Sequence, residues 1–519
     1  MFSRAGRLLP VLCVAALCVV LILIARKGAD APTTSDTAVI ESYTRLATQG
    51  LLRLGAYSRF QWHHPGPLYF YLLAPFYALG GGTTSALNAG AAAISMACLF
   101  VIGAVLIRRH PSMAVTTCAA LALLAVRAPE ALASPWNPHI TLLPMLALLV
   151  ATADVLAGGV WSLPTVALLA SVAGQAHVAV MPAALTLGAL AFARACAGAV
   201  RSPLLQAWQR SLLVTVSVLL AAWALPVLEQ LTGTPHGNIT ELWRFFLQQA
   251  RHGQTASVAA SAWSDMFTGL LRPDFYVAHG WPFVESPVKW AEWTTLAVLG
   301  CVAARTAIEA RRGDGFIVAL GTLVLLTSGV ALWSTMRIEE RIFDHDVFWM
   351  VGLGAIACAM VLDMVLVSAW PGLTSQPLAR PVAAIVLLAA CWPIVTEVQA
   401  KAAATHQPPA AAQTARALAD DLESYMAREG VRRPLVLIDQ DAWEYVAGAV
   451  LDLQKRGRLV SFEEDWVVMF TPEFRVTGRE DAVITVAVAP MHQQLAAKGV
   501  REISAHDPVF AHVERVSRP

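Results

Sequence analysis

Long apolar runs constrain this chain more than any other feature. A run of about 18 or more apolar residues is long enough to cross about 30 Å of hydrocarbon as a helix. Only 14% of the residues are charged, against about 25% in a soluble domain. The sequence therefore predicts an all-α polytopic membrane protein with about eleven transmembrane helices. The predicted spans are 8–25, 84–107, 111–127, 139–157, 160–178, 180–196, 209–229, 289–306, 314–333, 346–368 and 381–398.

Basic residues predict the orientation of these spans. Arg4 and Arg7 precede the first run, which we interpret as a retained anchor rather than a signal peptide because further spans follow it. With the N-terminus inside, the later arginine-rich connections fall on the cytoplasmic side, as the positive-inside rule requires. A multi-pass protein of the cell (plasma or inner) membrane is expected. Its predicted external segments are 26–65, 128–138, 230–288, 334–346 and the chain after about 399.

The apolar segment Gly66–Leu79 is too short to count as a span. Counting it would also reverse every later loop, so we expect an interfacial or re-entrant helix with tyrosine anchors.

The character of the sequence changes at Gln399. An Ala/Pro-rich joint is followed by alternating helix-like and strand-like stretches, the latter at Pro434–Asp439 and Ala482–Ala489. The pattern predicts a transmembrane domain over 1–398 and a small extracytoplasmic α/β domain over 399–519.

Charge and cysteine content exclude several classes of function. A net charge of +1 provides no field that would attract nucleic acid. The eight cysteines include no CxxC pair and lie in or beside apolar segments, which indicates neither a disulfide framework nor a zinc site.

A carboxylate, a later acid and a proline-bracketed aromatic helix follow the first span in order. Asp36 comes first, Glu41 second, and the motif His64-Pro65-Gly66-Pro67-Leu68-Tyr69 third. This region resembles the first external loop of the GT-C glycosyltransferases, polytopic enzymes that use polyprenyl-phosphate sugars and include the lipid A aminoarabinose transferases and protein mannosyltransferases. The chain departs from the family motif in having His64 where Lys is frequent and in the inserted Gly66.

The resemblance implies that Asp36 is the general base that removes the proton of an acceptor hydroxyl. The alternative is that Asp36 is only the N-cap of a helix beginning at Thr37. Glu41 would orient the acceptor or assist a metal, or else be a solvated surface residue. A divalent metal is possible, and no other cofactor than the lipid-linked sugar donor is indicated.

Further polar residues are candidates for contact with donor or acceptor. His63 and His64 would contact the donor phosphate, or else lie at the interface beside Trp62. In the second external loop, Glu130, Asn137 and His139 would face the same site, unless the loop is only a Trp-anchored turn.

The segment before the tenth span carries paired charges. Arg337 or Arg341 would clamp the phosphate of the lipid donor, or else belong to an outward cluster of paired charges. His345 stands between two aspartates, but neighbours on a helix point to different faces and cannot all bind one ion. We therefore place His345 among the donor or acceptor contacts.

The resemblance implies an inverting hexosyl- or pentosyltransferase that moves a sugar from a polyprenyl-phosphate carrier to an envelope glycan or lipid acceptor. A lipid or glycolipid transporter and a non-catalytic envelope-assembly protein are the alternatives, because many spans alone do not imply catalysis.

Overall fold

The computed structural model describes residues 33–128, 130–201, 203–233, 236–248, 253–272, 289–369 and 409–514, with isolated positions 11, 14, 15 and 18. The predicted span 8–25, apart from those isolated positions, the predicted span 381–398 and the joint after Gln399 lie outside the described residues. So does the predicted domain boundary at 398/399.

Helices make up nearly all of the described chain before residue 370. They are α1 Ser35–Thr48, α2 Leu68–Leu79, α3 Thr84–Arg109, α4 Pro111–Arg127, α5 Asn137–Ile140, α6 Leu142–Leu156, α7 Leu163–Ala176, α8 Met181–Arg201, α9 Leu205–Thr232, α10 Asn238–Trp243, α11 Ala256–Phe267, α12 Lys289–Arg312, α13 Gly315–Thr335, α14 Asp344–Val347 and α15 Met350–Ala369. Each predicted span within the described ranges coincides with one or two of these helices, which confirms a polytopic helical fold.

Six of the described helices are long and apolar enough to cross a membrane. They are Thr84–Arg109, Asn137–Leu156, Val178–Val200, Leu205–Thr232, Gly315–Thr335 and Met350–Ala369. Shorter apolar helices cover Leu68–Leu79, Pro111–Arg127 and Val160–Ala176. The segment expected to be an interfacial helix is therefore a short helix, α2, whose 12 residues extend about 18 Å at 1.5 Å per residue.

Ion pairs join helix ends that the span count assigns to the cytoplasmic side. At the end of α3, Arg109 Nε donates to Asp154 Oδ1 at 2.6 Å, near the end of α6. Arg305 in α12 pairs with the buried Asp363 of α15. His110 lies 3.8 Å from the same Asp363. These contacts bring α3, α6, α12 and α15 together at this end of the helical unit.

The C-terminal part is a small α/β structure with a five-stranded sheet of order β2-β1-β3-β5-β4. Its elements are α16 Pro409–Glu429, β1 Leu435–Ile438, α17 Trp443–Lys455, β2 Ser461–Phe462, α18 Glu464–Phe470, β3 Val483–Ala487, α19 Met491–Ala497, β4 Arg501–His506 and β5 Val509–Glu514. Strands β2, β1 and β3 are parallel, whereas β5 pairs antiparallel with both β3 and β4.

The chain forms two compact units. The helical unit contains the described residues of Met1–Lys27, Pro65–Leu72 and Asn88–Ala404. The sheet unit contains those of Gly28–His64, Leu73–Leu87 and Thr405–Pro519. The segment that carries Asp36 and Glu41 therefore packs in the same unit as the C-terminal sheet.

Candidate functional site

Asp36 lies in the first turn of α1 and is partly exposed. The helix begins at Ser35, and its N-cap position, Thr34, makes no side-chain cap hydrogen bond. The interpretation of Asp36 as the cap of a helix beginning at Thr37 is therefore wrong. The helix starts two residues earlier, so the carboxylate is available for other contacts, and its charge suits the positive end of the helix dipole.

The carboxylate of Asp36 accepts a short hydrogen bond from the phenol of Tyr57. A small hairpin holds Tyr57: Ser58 N donates to Trp62 O at 2.8 Å, and His64 N donates to Ala56 O at 2.8 Å. Burial, followed by the negative charge of Asp36, raises the pKa of Tyr57 well above its usual range. Tyr57 is therefore a protonated donor at neutral pH, and it orients the carboxylate of Asp36.

A second carboxylate, Glu444, lies near Asp36 in the first turn of α17. Partial desolvation and then the charge of Asp36 raise the pKa of Glu444. The pKa of Tyr57 is raised by both acids. Asp36, Tyr57 and Glu444 thus form one electrostatically coupled group, which we call the Asp36 cluster.

Glu41 is fully buried in the sheet unit. Its carboxylate accepts hydrogen bonds from Thr84 Oγ1 at 2.7 Å and Tyr77 Oη at 3.1 Å, and it forms an ion pair with Lys455. The alternative of a solvated surface residue is therefore wrong, because a buried carboxylate needs these partners to offset its desolvation. Tyr77, expected to anchor α2 at the interface, is likewise buried and bound to Glu41.

His63 and His64 are both buried. Burial lowers the pKa of His63 to about 4, against the opposing effect of its hydrogen bond to the backbone of Val468. The ring is therefore neutral at physiological pH and carries no charge toward a phosphate. The ring of His64 packs edge-on against Trp62 at 5.4 Å between centroids.

In the helical unit, the predicted loop 128–138 and the start of α5 form an aromatic cluster with the segment before α15. The ring of His139 lies 4.7 Å from Trp136 and 4.9 Å from Phe348, and Trp136 lies 5.5 Å from His345. Asn137, buried at the start of α5, donates to Ala176 O at 3.3 Å. Asn137, His139 and His345 are thus brought together. Glu130 begins a 3₁₀ turn, and its side chain lies outside the described residues.

Arg337 and Arg341 are both exposed. The guanidinium of Arg337 lies 5.9 Å from the Trp333 ring. His345 has Asp344 Oδ1 at 3.6 Å from Nδ1 and Asp346 Oδ1 at 3.7 Å from Nε2, one carboxylate beside each nitrogen. The two carboxylates therefore lie beside different nitrogens of the His345 ring.

Close packing around position 66 explains why a glycine stands there. A Cβ at this position would lie 2.3 Å from Gln175 Oε1 and 2.6 Å from Pro226. Gln175 is fully buried, accepts from Leu68 N at 3.2 Å and donates to Ala222 O at 2.8 Å. The departure from the family motif therefore permits a close approach of the backbone to α7.

None of the family models and none of the curated proteins compared with this chain matches it. Solved structures do. ArnT from Cupriavidus metallidurans bound to undecaprenyl phosphate superposes with a TM-score of 0.57 at 13% identity, over 97% of this chain and 98% of that one. The chain has the GT-C fold. The apo form of the same ArnT gives a TM-score of 0.54 at 11% identity, over 96% and 97% of the two chains.

The GT-C fold confirms the architecture that the resemblance predicted. Three contacts of the site were missed by sequence reasoning: Tyr57 on Asp36, Glu444 near Asp36, and Lys455 on Glu41. Lys455 and Glu444 lie in the C-terminal part, and no local pattern in the sequence relates them to α1.

Proposed function

We propose that this protein is a membrane glycosyltransferase that moves a sugar from a polyprenyl-phosphate carrier to an envelope glycan or lipid on the outer side of the membrane. The observation that carries the proposal is the position of Asp36 within a GT-C fold. A partly exposed carboxylate at the start of α1, oriented by the Tyr57 phenol, is suited to act as a general base. The undecaprenyl phosphate bound to ArnT supports the donor class.

The proposed reaction is a single displacement at the anomeric carbon. The acceptor hydroxyl oxygen forms the new glycosidic bond while the bond from the anomeric carbon to the phosphate oxygen breaks. The Asp36 carboxylate accepts the hydroxyl proton, and polyprenyl phosphate leaves with the bonding electrons. Inversion at the anomeric carbon follows from one direct attack, and the transferred group would be a hexose or a pentose.

The leaving phosphate gains negative charge as its bond to the sugar breaks, and a cation near it would stabilise the transition state. Arg337 and Arg341 are exposed guanidinium groups in the predicted external segment 334–346 and are the proposed phosphate contacts. His63 would donate a hydrogen bond at most, since its ring is neutral. Asn137, His139 and His345 would bind the sugar or the acceptor.

Glu41 has a positioning role in this proposal. Its burial and its contacts with Thr84, Tyr77 and Lys455 hold α1, and hence the first turn with Asp36, against the rest of the sheet unit.

The test uses the purified full-length chain, radiolabelled polyprenyl-phosphate sugars and envelope acceptors. We expect label transfer by the wild type and a loss of about 10²- to 10⁴-fold for Asp36→Asn, the usual effect of removing a general base. Asp420→Asn, which removes an exposed surface acid, is the matched control and should transfer normally. Absence of transfer with every donor, together with movement of labelled lipid between leaflets, would favour the transporter instead.

A further inference from the structure

Two histidines and a glutamate meet on one face of the C-terminal sheet, in the sheet unit and apart from the Asp36 cluster. His492 is in α19, Glu502 in β4 and His512 in β5. The ligand atoms of the three side chains all lie within 4.8 Å of one another. His492 Nδ1 is 3.0 Å from His512 Nε2 and 3.7 Å from Glu502 Oε2.

The register of strands β4 and β5 brings Glu502 and His512 together. Glu502 and His512 are cross-strand partners in the antiparallel pair β4–β5, so their side chains project from the same face. Phe510 is two residues from His512 and shares that face. The His492 ring stacks on Phe510 with 3.7 Å between centroids and 17° between planes, which aims His492 at the pair.

A hydrogen bond between the imidazoles of His492 and His512 does not by itself explain why His512 is buried. The residue is 1% exposed, and its Nδ1 has no hydrogen-bond partner among the described residues. Either tautomer of a neutral pair leaves that nitrogen unsatisfied, and an unsatisfied buried nitrogen is destabilising. A stronger bond at Nε2 is needed to offset this cost.

The exposure of α19 also favours a strong bond between this helix and the sheet. All seven residues of this helix, Met491–Ala497, are described, and none of them is buried. Burial of apolar side chains, the usual reason for a helix to stay on a sheet, is therefore limited here to the half-buried Leu495. A bond from His492 to groups on β4 and β5 would hold α19 in place.

We propose that His492, Glu502 and His512 bind a divalent transition-metal ion of the Zn²⁺ class. Two imidazole nitrogens and a carboxylate oxygen are ligands that Zn²⁺ takes at about 2.0–2.2 Å, and ligands on one tetrahedral ion are then about 3.4 Å apart. The 3.0 and 3.7 Å separations are close to that spacing. Water would complete the coordination. The ion ties α19 to the β4–β5 hairpin, independently of the proposed transferase activity.

The test uses the full-length protein, purified without a polyhistidine tag, stripped with EDTA and titrated with Zn²⁺ against a chromophoric chelator. We expect about one tight equivalent for the wild type and at least about tenfold weaker binding for His492→Ala and Glu502→Gln, because loss of even an outer-shell partner costs 10- to 100-fold. Both residues lie outside the core, so the variants should fold. His506→Ala, in the same strand but paired with Asp421, is the control and should bind like the wild type.

A second measurement tests whether the ion holds α19 against the β4–β5 hairpin. Lys498 directly follows α19 and is exposed, so trypsin should cleave there faster in EDTA than in Zn²⁺. In His492→Ala the rate should be fast under both conditions. Absence of a tight equivalent in the wild type, or binding equal to wild type in both ligand variants, would overturn the proposal.

Discussion

Lys455 in α17 forms an ion pair with Glu41 in α1, so that a residue of the C-terminal part neutralises a buried acid of the helix that carries the proposed base. The Lys455 side chain is 30% exposed, whereas that of Glu41 is 0% exposed. The two partners therefore differ in what their removal leaves behind. A lysine without its partner can reach water, but a carboxylate without its partner stays buried.

The first prediction follows from this asymmetry. Lys455→Met should lower the melting temperature more than Glu41→Gln, because the glutamine can still accept from Tyr77 and Thr84. Breaking a buried pair costs 3–5 kcal/mol, and partial exposure of the lysine reduces this to about 2 kcal/mol. Thermal unfolding of both single variants and the double variant measures it. Equal shifts for the two single variants would contradict the buried pair.

The second prediction concerns the Tyr57 phenol. Tyr57→Phe removes the donor that orients Asp36, and a hydrogen bond to a charged group contributes about 1.5–3 kcal/mol. We expect kcat to fall about 10- to 100-fold with KM nearly unchanged. In the Asp36→Asn background the same substitution should have no further effect, since the two groups act as a unit. Additive losses would assign Tyr57 a role separate from Asp36.

The third prediction separates a phosphate clamp from a general surface charge. If Arg337 or Arg341 binds the donor phosphate, replacement by Lys should raise the donor KM, because lysine lacks the planar fork. Arg244→Lys, which changes another partly exposed arginine paired with Glu241, serves as the matched control. Wild-type donor KM in both Arg337→Lys and Arg341→Lys would make the two residues structural.

The fourth prediction is a pH dependence of stability. His63 has a folded pKa of about 4, against 6.5 when unfolded, so the unfolded state binds the proton first as pH falls. The contribution is fully present above pH 6.5 and is lost between pH 6.5 and 4, with about 2 kcal/mol gone by pH 5.

His63→Gln should flatten this dependence, because glutamine does not titrate. Melting temperatures between pH 7.5 and 5 measure the effect. A wild-type slope in His63→Gln would refute the assignment.

The fifth prediction is the orientation of the chain. The Arg109–Asp154 and Arg305–Asp363 pairs group loops that the span count places inside. An alkaline phosphatase fusion after Gln399 should therefore be active, whereas one near Arg109 should be inactive. The reverse pattern would put the Asp36 cluster on the cytoplasmic side.

The sequence predicted the parts of this fold that depend on local patterns. The predicted span 111–127 coincides with α4 because Pro111 starts the helix and Arg127 ends it. The predicted strands at Pro434–Asp439 and Ala482–Ala489 are β1 and β3, which are apolar runs. Strands β4 and β5 were not predicted, since β4 is an edge strand in which charged, exposed residues interrupt the alternation.

The site was predictable only in its first element. Position after the first span singled out Asp36. For Glu41 the sequence left two alternatives open, a contact with acceptor or metal and a solvated surface position, because no local pattern relates Glu41 to its cation, Lys455. Its partner, Lys455, and the neighbour of Asp36, Glu444, belong to α17. Pairings across such a separation depend on the tertiary fold and leave no periodic signal.

Packing of α1 against α17 and α18 also bears on biosynthesis. Tyr43 of α1 donates to the carbonyls of Val468 and Met469, and a Cβ at Gly448 of α17 would lie 2.4 Å from the backbone oxygen of Thr33. At about 5–20 residues per second, the ribosome makes α17 on the order of a minute after α1. During that interval α1 is already translated but lacks the surface on which it folds. The nascent chain therefore cannot order the first turn of α1, with Asp36, until these later helices have been translated, so a product interrupted before them lacks the packing that holds Asp36.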